Sequence, residues 1–83
     1  MRAEEVLPDD VNQNEINGVV IRKGSIGAFL ANAKTLADPA ASAEASAIAE
    51  RDIVQALPAL RATGLFDVLQ IRNERLRAFV EAH

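Results

Sequence analysis

Residues 22–27 read Arg-Lys-Gly-Ser-Ile-Gly, and they are the stretch of this chain whose residue types best fit ligand chemistry. They follow the β-branched run Val19-Val20-Ile21 and precede a helical pattern. At such a junction the first amides of the helix lack an internal partner and the helix dipole favours an anion. Arg22 and Lys23 add positive charge, Gly24 and Gly27 allow close backbone approach, and Ser25 offers a hydroxyl. A small anionic ligand, a phosphate or a nucleotide, is the chemistry this spacing supports. The order Lys-Gly-Ser, with no glycine at the required distance upstream, departs from a P-loop, and no dinucleotide fingerprint is present. A purely structural account covers the same residues: a turn glycine, an N-cap at Ser25 and a small residue beneath a neighbouring helix.

Arg72, Arg75 and Arg77 form a second basic cluster. With Arg22 and Lys23 nearby they would make a patch able to bind nucleic acid in a regulatory role, or an acidic protein partner. Glu74 and Glu81 offset them, so a solvated helix face accounts for the cluster equally well. The charge balance also argues against nucleic acid, because phosphate binders carry a basic surplus and this chain has a formal net charge of −3.

Other reaction classes find little support. Ser/His/Asp catalysis needs a positioned imidazole, and the single histidine is His83 at the end of the chain. With no cysteine, disulfides, thiolate zinc sites and thiol redox chemistry are excluded. Asp9-Asp10 lacks the spacing of a calcium loop, so no metal site is expected. Glu50, Asp52 and Asp67 are the acids nearest apolar stripes; Asp52 and Asp67 read as partners for Arg51, Arg61 or Arg72. The residues predict no enzyme, no catalytic constellation and no cofactor.

The elements that must carry these groups follow from hydrophobic periodicity. Ile16 to Arg22 reads as a covered strand. Ile26, Phe29, Leu30, Ala33, Leu36 and Ala37 share one helical stripe, which Asp38-Pro39 ends. A second helix is expected from about residue 43, with Ala45, Ile48, Ala49, Ile53, Ala56, Leu57 and Leu60 inward and Pro58 kinking or splitting it. Gly64 suits the position after a helix end. Leu65 to Ile71 returns to strand-like alternation, and Asn73 can cap a last helix with Leu76, Phe79, Val80 and His83 on one face. The order is β-α-α-β-α: an α+β domain of three helices on a small two-stranded antiparallel sheet.

The patterns Ile-Arg-x-x-x-Ile-x-Ala-Phe-Leu at 21–30 and Ile-Arg-x-x-x-Leu-x-Ala-Phe-Val at 71–80 echo each other. Two amphipathic strand–helix junctions explain that echo. A true repeat would require Phe29 and Phe79 to pack together.

At 83 residues, 49% apolar and 4% aromatic, the chain supports one small core. No apolar run approaches the ~20 residues of a membrane span, and a soluble, cytoplasmic domain is expected. Residues 1–17 carry a charge of −4 and the remainder +1. Residues 1–15 therefore read as an acidic, mobile arm and 16–83 as the single folded domain. The strings Val-Val-Ile-Arg-Lys-Gly-Ser-Ile-Gly-Ala-Phe-Leu-Ala-Asn and Leu-Pro-Ala-Leu-Arg-Ala-Thr-Gly-Leu-Phe-Asp-Val resemble small uncharacterised bacterial proteins. That resemblance implies a stand-alone, non-enzymatic protein and carries no functional residues. Two uncovered strands in an apolar-rich chain predict a homodimeric interaction or adaptor module.

Overall fold

The computed structural model describes residues 1–83. The chain begins with one helical turn, α1 (Ala3–Val6), and an antiparallel hairpin of β1 (Gln13–Ile16) and β2 (Val19–Arg22). The helices α2 (Ser25–Ala37) and α3 (Ala43–Ala62) follow, then a four-residue turn α4 (Leu65–Val68) and the last helix α5 (Glu74–Glu81). The class is α+β with a two-stranded antiparallel sheet, and three of the five helices are long enough to pack as cylinders.

The sheet is built from segments other than those predicted. Ile16 to Arg22 is not one strand, because Asn17 and Gly18 turn the chain with φ of 51° and 80°. Positive φ at both central residues is the geometry of the tight turn that matches strand twist, and Asn-Gly is its preferred dipeptide. Ile16 thus pairs with Val19 and Gln13 with Arg22. Residues 13–15, assigned to the arm by composition, are three of the four residues of β1.

The predicted strand at Leu65–Ile71 is also absent. Gly64, at φ 82°, closes α3 and starts α4. A strand would send Leu65 and Phe66 to opposite faces, whereas a helical turn lets both pack on the same core. The Phe66 ring meets Phe29 edge-on with centroids 5.9 Å apart. Burying that aromatic pair outweighs the local alternation.

The core lies where α2, α3 and α5 converge, and Ile53, Leu57 and Leu60 of α3 are its most buried side chains. Phe29, Leu36, Ala49 and Val80 complete it. Phe79 packs on the same cluster as Phe29, but the aromatic partner of Phe29 is Phe66 and that of Phe79 is His83. The second copy of the sequence echo enters its helix from an unpaired segment, so the two copies do not share a strand–helix setting.

Helix ends follow their caps. Ser42 and Asn73 accept from the amides of Ala45 and Leu76 at 3.0 and 2.9 Å. Ser25 is not the cap of α2. Gly24 takes that place in the left-handed region at φ 88°, and Ser25 is the first helical residue. The α3 helix runs unbroken across Pro58. Pro58 and Val54 both face solvent, so water can serve the Val54 carbonyl that proline leaves without a donor.

Candidate functional site

The strand–helix junction ties two of its polar side chains, Lys23 and Ser25, to backbone carbonyls of the chain itself. Arg22 ends β2 and is exposed. The Lys23 ammonium donates to the carbonyls of Pro8 and Asp9 at 3.0 and 2.8 Å, and its amide donates to the Asn12 carbonyl at 2.7 Å. The Ser25 hydroxyl donates back to the Arg22 carbonyl at 2.7 Å. Gly24 and Gly27 both have open space where a side chain would stand. A cleft of about 500 Å³ runs beside this junction, but Glu4 and Asp9 line it together with Arg22 and Lys23. The junction therefore faces acidic groups as well as basic ones, and its lysine already has two acceptors.

The arginines of the second cluster point apart. Arg75 borders a cleft of about 420 Å³ with Lys34 and Glu50. Arg77 borders one of about 610 Å³ with Arg61, Asp67 and Glu81. Two residues along a helix is more than half a turn, which is why they separate. Arg72, before the Asn73 cap, forms no ion pair. None of these clefts is lined by both Arg22 and any arginine of the second cluster.

Several residues have uses that the sequence did not reveal. Arg61 reaches from α3 to the C-terminal end of α5, donating to the carbonyls of Val80 and His83 at 3.2 and 3.4 Å. Such a contact satisfies carbonyls that the helix end leaves free. His83 turns back with Nδ1 at 2.8 Å from the Phe79 carbonyl and its ring on Phe79. The pairing of Asp52 with its neighbour Arg51, at 3.2 Å, was by contrast expected from the sequence, whereas Asp67 forms no ion pair.

The feature with most chemical potential is apolar. A groove of about 310 Å³ runs between α2 and residues 65–76, and nine of its ten lining residues are hydrophobic. Leu30 and Leu69 stand on its walls at 52% and 59% exposure, and Val68, at 83%, projects beside it. Gln70 is the one polar residue on its lining, and the rest of the wall is aliphatic or aromatic. The signals were present in the sequence, as Ile26 and Leu30 on the α2 stripe and the Leu-Gln-Ile alternation at 69–71. No known protein family, curated protein or solved structure matches the chain.

Proposed function

We propose that this protein is a non-enzymatic protein–protein interaction module that works as a homodimer. The observation that carries this reading is its surface. The chain exposes 5965 Å², whereas a compact monomer of 8.9 kDa exposes about 4,800 Å². Its radius of gyration is 13.6 Å against about 12 Å for a compact chain of this length. Nine large hydrophobic side chains remain exposed while eight residues form the whole buried set. A standard interface removes about 800 Å² from each partner, so one symmetric contact returns the surface close to that of a compact chain.

Phosphate binding at Arg22–Gly27 ranks second, because Lys23 and Ser25 already serve backbone carbonyls. Nucleic-acid binding through Arg72, Arg75 and Arg77 ranks third, because the side chains diverge.

Sedimentation equilibrium from micromolar to millimolar chain tests the reading. The expected mass is twice that of the chain. A single-chain mass throughout would overturn it.

A further inference from the structure

Residues 69–72 link α4 to α5 outside every helix and strand. Leu69 is extended, at φ −115° and ψ 142°, yet the segment belongs to neither strand of the sheet. Neither the amides nor the carbonyls of Gln70, Ile71 and Arg72 form any hydrogen bond. Leu69 and Ile71 line the apolar groove beside α2. A backbone with free donors and acceptors, set between extended residues at Leu69 and at Asn73 (φ −75°, ψ 119°) and flanked by apolar side chains, is a template that a second strand adds to.

We infer that two copies of this chain pair residues 69–71 antiparallel about a twofold axis at Gln70, and that this is the dimer interface. The inference rests on the homodimer reading above and names its face. Pairing about Gln70 sets Leu69 of one copy opposite Ile71 of the other, an apolar cross-strand pair on each side of the axis. The half-exposed Leu69 of each copy then lies against the groove between α2 and residues 65–76 of its mate. One face carries both ridge and groove, as a self-complementary contact requires.

Charge supports the same orientation. Asp67 and Arg72 flank the segment, and neither forms an ion pair within the chain. Antiparallel alignment brings the Asp67 end of one copy beside the Arg72 end of the other. Parallel alignment would set like beside like. The orientation that satisfies the backbone thus also pairs the charges. The surface in excess of a compact monomer, roughly 1,200 Å², exceeds the ~800 Å² that a stable dimer removes per copy.

The test is sedimentation equilibrium on the wild type, Leu69→Asp, Asp67→Arg and Arg72→Asp, with circular dichroism to establish that each variant folds. Leu69→Asp, which sets a charge against Ile71 of the mate, and each charge variant alone, which sets like charges side by side, should raise the dimer dissociation constant at least ~10-fold. An equimolar mixture of Asp67→Arg and Arg72→Asp should recover dimerisation as a heterodimer, because one chain then brings two arginines and the other two aspartates. A purely structural effect of either substitution would not be rescued by mixing. Recovery supports the twofold at Gln70. A wild-type dimer unmoved by all three substitutions overturns this face and leaves the homodimer reading intact, with the hairpin edge as its remaining site. A monomeric wild type overturns both.

Discussion

Lys23 shows how a residue chosen for its charge can be occupied by the fold itself. Its ammonium holds two carbonyls of the segment before β1, and its amide extends the hairpin ladder to Asn12. A cation that donates to neutral carbonyls at the surface is worth about 0.5–1.5 kcal/mol, enough to restrain a short arm and too little to drive folding. Lys23→Met should therefore leave the core intact while hydrogen exchange at the Val11 amide, bonded to the Pro8 carbonyl, accelerates several-fold. Unchanged exchange there would show that the arm is held by other contacts. The Lys-Gly-Ser order was legible in the sequence. Its acceptors were not, because they lie 14 and 15 residues away and only the hairpin brings them back.

Among the elements, α3 organises the molecule: it supplies Ala49, Ile53, Leu57 and Leu60 to the core and receives α2, α4, α5 and β2. Its one internal flaw is Pro58, which costs a helix interior up to about 3 kcal/mol. Solvent at Val54 and Pro58 softens that cost, and proline restricts the unfolded chain. Pro58→Ala should accordingly stabilise the protein by about 1–2 kcal/mol, read as a higher urea midpoint with an unchanged slope. A lower midpoint would mean that the proline ring contributes packing that alanine lacks. Helices were the legible elements because their stripes span many residues. The start of α3 near residue 43 and the cap at Asn73 were placed correctly, whereas the split expected at Pro58 is absent and Ile48, expected inward, is 43% exposed. The short elements were misplaced, since four residues of alternation cannot tell a strand from a turn that buries Phe66.

For the whole molecule the decisive quantity is exposed surface against core. Eight residues are buried, and the outline is elongated at 38 × 24 × 21 Å. The homodimer proposed above would couple folding to concentration by mass action, because only the folded chain presents the groove. The unfolding midpoint should rise as chain concentration increases, and Leu69→Asp should abolish that dependence. A midpoint independent of concentration for the wild type would remove the coupling.

The amino-acid sequence by itself determined the class, α+β with helices dominant, and the extents of the long helices, because periodicity and caps act over neighbouring residues. It also contained the Asn-Gly turn, the Gly64 break and the absence of thiol chemistry. Only the tertiary structure decided which residues pair as strands, where Lys23 and Arg61 spend their charge, and that Arg75 and Arg77 face different clefts. Those outcomes depend on groups far apart along the chain meeting in space. The segment at 69–72 belongs to both: its alternation favours a strand, and the fold of one chain leaves the backbone of residues 70–72 without a hydrogen-bond partner.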